Sequence, residues 1–202
     1  MKRNVLLFVF VLIAAAASAQ ISWNAKAGMN LSNITGVEGD FKIGYNVGAG
    51  MEYAFSSTWS LQPSLLFTAK GAKESSDGIT TTINSLYLEL PILAAARFPI
   101  NPKTNIVISA GPYLAYGVGG KTSVSVDGIK VSLDTFGTTT VDGESGEGLK
   151  RFDAGLAAGI ALEFNKIVVG LNGEYGLLDV AETEGNESYK NLNLYLGIGY
   201  KF

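Results

Sequence analysis

Three features of this 202-residue sequence predict an all-β fold, an eight-stranded antiparallel up-and-down transmembrane β-barrel behind a cleaved signal peptide. Apolar and polar residues alternate with period two through almost the whole chain, the alternating runs are long, and the polar face is rich in glycine and in balanced charge. Successive side chains of a strand point to opposite faces, so period two marks a strand with one apolar and one polar side. Strands of soluble proteins typically run to about five or six residues, whereas crossing a bilayer takes roughly 9–11. Eight is the smallest even strand number that closes an outer-membrane barrel.

The first element is an address. Lys2 and Arg3 form a positive start, Val5 to Ala16 a short apolar stretch, and Ala17-Ser18-Ala19 a small-x-small cleavage pattern. The stretch is shorter than the roughly 20 residues of a spanning helix. Residues 1–19 are therefore expected to be a signal peptide and residues 20–202 the barrel domain. Past residue 20 no apolar run reaches helical spanning length, which excludes a helical membrane protein.

From Ile21 to Ser32, Trp23, Ala25, Ala27, Met29 and Leu31 alternate with Asn24, Lys26, Gly28 and Asn30. Residues 41–55 set Phe41, Ile43, Tyr45, Val47, Met51, Tyr53 and Phe55 against Lys42, Gly44, Asn46, Gly48, Gly50 and Glu52. Residues 59–71 oppose Trp59, Leu61, Leu65 and Phe67 to Gln62, Ser64, Thr68 and Lys70. In 83–98, Leu86, Leu88, Leu90, Ile92 and Phe98 face away from Ser85, Tyr87, Glu89 and Arg97. In 105–118, Ile106, Ile108, Leu114 and Tyr116 oppose Ser109, Gly111, Tyr113 and Gly117. Residues 150–164 divide Phe152, Leu156, Ile160 and Phe164 from Arg151, Asp153, Gly155, Gly159 and Glu163. Residues 166–178 divide Val169, Leu171, Tyr175 and Leu177 from Asn172, Glu174 and Gly176. Residues 191–202 end the chain, with Leu192 to Phe202 alternating against Asn191, Asn193, Tyr195, Gly197, Gly199 and Lys201.

Connections alternate in length. Ser56-Ser57, Pro99 to Thr104 and Asn165-Lys166 are short, while 33–40, 72–82, 119–149 and 179–190 are long. Short periplasmic turns and long external loops are the outer-membrane pattern. The third long connection carries a hairpin of its own, with Val124 and Val126, a type I′ turn at Asp127-Gly128, then Ile129, Val131 and Leu133.

Alternation alone does not say which face is outside. A soluble lipocalin-like barrel points its apolar face inward, around a ligand, and a membrane barrel points it at lipid. The glycines decide, because a solvated strand face gains nothing from residues that weaken strands, whereas a lumen as narrow as that of eight strands needs them. Charge agrees. The inward set holds Lys26, Lys42, Lys70, Arg97, Arg151 and Lys201 against Glu52, Glu89, Asp153, Glu163 and Glu174, six cations to five anions, as in a lumen closed by ion pairs. The lipid-facing set is almost free of charge, and its aromatics Trp23, Tyr53, Phe55, Trp59, Phe98, Phe164 and Tyr200 gather at the short-turn end as an interfacial girdle.

The chemistry left open is narrow. With no cysteine and no histidine, thiolate chemistry, the usual zinc ligands and the commonest general base are missing. A pI near 5.0 argues against nucleic acid. No enzymatic activity, cofactor or metal is expected. The loop acids Asp127, Asp134, Asp142, Glu144, Glu147, Asp179, Glu182 and Glu184 lack the spacing of a calcium loop and read as solvated charge.

Several segments resemble the PorT-like family within the OmpA/OmpX-like group of small outer-membrane barrels. They are Lys26 to Ser32, Leu61-Gln62-Pro63, Lys70 to Lys73, Tyr87 to Pro91, Gly111-Pro112-Tyr113 and Leu196 to Phe202, spread over nearly the whole mature chain. The resemblance implies a Gram-negative outer-membrane protein in contact with outer-membrane lipid, with Tyr200 and Phe202 as a C-terminal signal for the barrel-assembly machinery. It also makes Pro63, Pro91 and Pro112, which each remove a ladder donor, familiar as local bulges or kinks. Where the family pattern more often has glutamate after Gln-Pro, this chain has Ser64. The expected function is structural, adhesive or secretion-accessory, carried by the external loops. The alternatives are a narrow pore or solute-binding barrel lined by Lys26, Glu52, Glu89, Arg97, Arg151 and Glu174, and a soluble secreted binding protein.

Overall fold

The computed structural model describes residues 20–36, 39–76, 78–126, 129–141, 144–181 and 188–202. Residues 1–19, read as a signal peptide, lie outside them. The strands are β1 Ile21–Ile34, β2 Asp40–Ala54, β3 Trp59–Ser76, β4 Ile79–Asn101, β5 Thr104–Gly119, β6 Lys121–Val126, β7 Ile129–Asp134, β8 Thr138–Val141, β9 Glu144–Glu147, β10 Phe152–Phe164, β11 Ile167–Gly176 and β12 Asn191–Lys201. Eight of them form a closed antiparallel ring in the order β1, β2, β3, β4, β5, β10, β11, β12. The ring shuts where β12 pairs with β1, for example Met29 with Leu196 and Lys26 with Gly199. Closure leaves these strands no free edge within the wall, which a bilayer requires because lipid cannot satisfy backbone groups.

The apolar face is outside. Met29 and Ile43 are each 66% exposed, and Val47, Leu65, Ile108, Leu156, Ile160, Leu196 and Ile198 are exposed with them, while Glu52, Lys70, Glu89, Asp153 and Glu174 are buried. That arrangement rules out a soluble barrel with an apolar cavity. Trp23, Phe55, Trp59, Phe98, Phe164 and Tyr200 are exposed at the short-turn end, and Tyr53 is half-buried there.

The structure corrects three expectations about the strands. Residues 72–82 are not a long loop, because β3 and β4 continue to Ser76 and Ile79 and pair down to Ser76 with Ile79. The outward positions of β4 run Ile92, Leu90, Leu88, Leu86, then Asn84, Thr82, Thr80, so the hydropathy signal ends where the strand leaves lipid although the ladder does not. Second, Pro63, Pro91 and Pro112 cause no register shift. Pairing keeps one register from Pro63–Ile92 to Leu66–Glu89 and from Pro91–Tyr113 to Ala94–Ala110, while the shifts lie at Phe41/Asn46, Leu86/Tyr87 and Pro99/Asn101. Each proline removes a donor without inserting a residue, and it is an inserted residue that makes a bulge. Third, the connection after β5 holds two hairpins, β6–β7 and β8–β9.

The first hairpin extends the wall. At Gly120, whose φ of +147° suits glycine, the chain leaves β5 and continues as β6 along the same edge of β4. Above the rim, β3, β4, β6 and β7 thus make a four-stranded external sheet. The predicted turn residues Asp127 and Gly128 lie outside the described residues, but Val126 pairs with Ile129 across them.

Candidate functional site

Two regions carry chemistry, the charged lumen and the external sheet. The lumen is organised in layers. Nearest the short turns, Arg97 bridges Glu52 at 2.6 Å and Glu163 at 3.0 Å, and Lys201 bridges Glu52 at 2.7 Å and also pairs with Glu163. Four strands thus supply two cations and two carboxylates that alternate in a ring. The Arg97 and Lys201 side chains keep 18% and 15% exposure, so the quartet sits at the periplasmic mouth.

The next charged layer is dry. Lys70 pairs with Glu89 and, at 2.7 Å, with Glu174, all essentially without solvent exposure. Its ammonium lies 4.7 Å from the centre of the Tyr113 ring, whose hydroxyl donates to Asp153 at 3.0 Å. Asn191 donates to the same Asp153 oxygen at 2.8 Å, and Asn193 donates to Glu174 at 2.9 Å. One cation thus serves two carboxylates, while the amide and phenol groups both donate to Oδ2 of Asp153, a third buried acid whose Oδ1 has no partner among the described residues. On β1 to β3 a neutral cluster fills the wall, with Asn46 donating to Asn30 at 2.5 Å and Asn30 to Thr68 at 2.8 Å.

Between these layers lies a cavity of about 90 Å³, lined among others by Asn24, Lys26, Gln62, Asn172, Gly197 and Gly199. Lys26 reaches it and donates to Ser64 at 2.9 Å. Above the dry layer the external mouth is stoppered. Phe136 is 5% exposed and packs edge-on against Tyr87, with ring centroids 5.4 Å apart. Gly117 makes this possible, because a Cβ there would overlap the Phe136 ring. Thr135 fixes the segment by donating to the Asn84 carbonyl at 2.7 Å. A second apolar cluster of Ile34, Ala72 and Val180, with Ile83, Leu149 and Tyr189, covers the rest of the mouth.

Of the eleven charged residues assigned inward, nine lie in these two charged layers or beside the cavity. Lys42 is buried near the external end and meets no carboxylate among the described residues. Arg151 departs from the expectation. It is exposed, donates to the Gly117 carbonyl at 2.8 Å, and lies 5.5 Å from the Phe136 ring centre. It precedes β10, so strand alternation does not govern it, and it clamps the stopper instead of lining the lumen. Without it, lumen charge is five against five. Phe136 sits in a loop without periodicity, so no sequence pattern marks it. The inward asparagines 191 and 193 sit at positions the alternation does mark.

Among the loop acids, Asp179 is structural. It accepts from Ser188 Oγ at 2.6 Å and from the Tyr189 amide at 3.0 Å, and these bonds, the Ser188 hydroxyl foremost, hold its carboxyl below the usual range. No acid cluster suited to a metal occurs among the described residues.

A family model described as an outer membrane protein beta-barrel domain matches residues 15–182. The chain belongs to this outer-membrane β-barrel family. It is an integral outer-membrane protein whose strands cross the bilayer and face its lipid. Similar solved structures include Ail, the attachment invasion locus protein of Yersinia pestis, at 22% identity over 90% of this chain and 97% of that one, with a TM-score of 0.43. Neisserial surface protein A is similar at 11% identity over 91% and 97%, with a TM-score of 0.45. The N-terminal barrel domain of Pseudomonas aeruginosa OprF is similar at 13% over 89% and 97%, with a TM-score of 0.40. No curated protein matches.

On this outer-membrane barrel the external sheet has two unlike faces. Cross-strand partners share a face, so Ile79, Val126 and Ile129 lie together, as do Val124 and Val131, with Leu133 following. All six are exposed, on the face that continues the lumen side of β4. The opposite face carries Ser75, Thr80, Thr82, Ser123, Ser125, Lys130 and Ser132. Among the described residues β7 pairs only with β6, so its far edge is open.

Proposed function

We propose that the barrel anchors the external sheet, and that the open edge of β7 receives a strand from another polypeptide, in an adhesive or secretion-accessory role and without catalysis. The observation that carries this reading is the edge itself. All six residues of β7 are exposed, its far edge pairs with no strand among the described residues, and an apolar face flanks it. Strand addition draws affinity from main-chain hydrogen bonds and specificity from alternate side chains.

The PorT-like segments support a finer placement within the family, and with it a link to secretion. Residues 1–19 as signal peptide and 20–202 as the barrel domain belong to the same reading. So does recognition of Tyr200 and Phe202 by the barrel-assembly machinery, supported by the exposed Phe202 ring stacked edge-on at 5.5 Å against Tyr200. The lumen ion pairs serve as a plug, as eight-stranded interiors are normally filled, so planar bilayers should show no conductance steps.

Replacing Ile129 and Val131 by lysine tests the proposal, because both lie outside the ring. The variant should keep its outer-membrane level and lose binding to partner surfaces or support of secretion. Unchanged adhesion and secretion in that variant and in a strain lacking residues 121–134 would refute the role.

A further inference from the structure

We propose that the cavity behind the periplasmic quartet is a binding site for a small monovalent anion, held by Lys26. It goes beyond the external-sheet reading, on which it does not depend.

The charges of the lumen are balanced in sum but segregated along the axis. The lower half holds Lys26, Arg97 and Lys201 against Glu52 and Glu163, an excess of one positive charge. Both carboxylates are already bridged, each by Arg97 and by Lys201. Lys26 therefore makes no ion pair among the described residues: Glu52 lies near it along the same cavity but is held by Arg97 and Lys201, and the Lys26 hydrogen bond goes to the neutral Ser64 hydroxyl at 2.9 Å. An ammonium offers three donors, and a charge held away from bulk water without a partner is costly.

The space beside it is open and polar. A volume of about 90 Å³ exceeds the few tens of Å³ that one water needs, so it takes a halide-sized ion with water. Asn24, Gln62, Ser109 and Asn172 line it with groups able to donate. Asn24 is 6% exposed, and its Oδ1, an acceptor, has no hydrogen-bond partner in the protein, so a water that donates to it belongs in the cavity beside the ion. Gly197 and Gly199 on the adjoining strand β12, and Gly170 on β11, line it without a side chain. The route in is from the short-turn end, where Lys201, a lining residue, keeps 15% side-chain exposure and Arg97 beside it 18%.

The test uses protein purified from the outer membrane in detergent, with ¹⁵N-labelled side-chain amides of Asn24, Gln62 and Asn172 observed by NMR. Sodium bromide is titrated against sodium gluconate at constant ionic strength, so that screening is common to both. Wild type should show saturable bromide shifts at these amides. Lys26→Met should weaken apparent affinity at least tenfold. Ser64→Glu, which places a carboxylate at the lysine, should do the same by occupying the site internally, and its heat-dependent gel mobility reports that it folds. Non-saturating shifts in wild type that match gluconate would overturn the proposal, as would wild-type bromide affinity in Ser64→Glu.

Discussion

Removing Lys70 should destabilise the barrel more than removing any charge nearer the mouth. Lys70 sits 2.7 Å from Glu174, pairs also with Glu89, and none of the three side chains exceeds 2% exposure. At an effective dielectric constant near 20, one contact at that distance is worth about 6 kcal/mol of attraction. Desolvating three charges costs several kcal/mol per ion, so the intact cluster contributes little net stability. Lys70→Met keeps the desolvation cost of both carboxylates and deletes the attraction, and the expected loss is about 3–5 kcal/mol. The assay is urea unfolding in lipid vesicles, read by Trp23 and Trp59, the two tryptophans of the chain. The triple variant Lys70→Met/Glu89→Gln/Glu174→Gln should recover most of that loss, because neutral side chains of similar volume replace the whole cluster. A loss below about 1 kcal/mol for Lys70→Met would mean that water screens the cluster. A triple variant less stable than the single would refute the reasoning from the other side.

Three further outcomes are expected. Gly117→Val should cost about 1–3 kcal/mol by overpacking against Phe136, and limited proteolysis should cut the loop before β10 faster than in wild type. Leu196→Lys, on the lipid face opposite Met29 and Leu171, should cost about 2–4 kcal/mol in the same urea assay if it lies near the bilayer midplane; a neutral effect would put this face in water. The Asp179 carboxyl titrates below its unfolded value, so the loop ties it makes to Ser188 and Tyr189 are fully present above that value, near 3.9, and are lost as pH falls through the depressed one. The Tyr189 amide resonance should therefore hold steady from pH 7 to 5 and move only in stronger acid, with the movement absent in Asp179→Asn.

The barrel was legible because each strand repeats the same physical compromise. Lipid on one side and a narrow lumen on the other force alternation at every pair, so Trp23 to Leu31 or Leu192 to Phe202 suffice to orient their strands. The signal ended wherever that constraint ended. From Asn84 on, the outer positions of β4 turn to asparagine and threonine because no lipid faces them, and the pattern there reads as loop. Arg151 lies one residue before β10, where alternation no longer fixes direction. Pro63, Pro91 and Pro112 occupy neighbouring strands at one level, a cross-strand relation that depends on register and not on sequence distance. The lumen charges were legible as a set, but their division into a quartet, a dry triad and a lone Lys26 depends on the stagger of the ring. Phe136 depended on tertiary packing against Gly117, nineteen residues away in a different element.

The central claim is a closed barrel with its apolar face in the outer membrane. The most direct measurement is gel mobility of the protein extracted from the outer-membrane fraction in detergent, with and without boiling. The unboiled protein should migrate as a compact species, and boiling should abolish the shift. Identical mobility before and after boiling, together with recovery of the protein in an aqueous fraction without detergent, would contradict it.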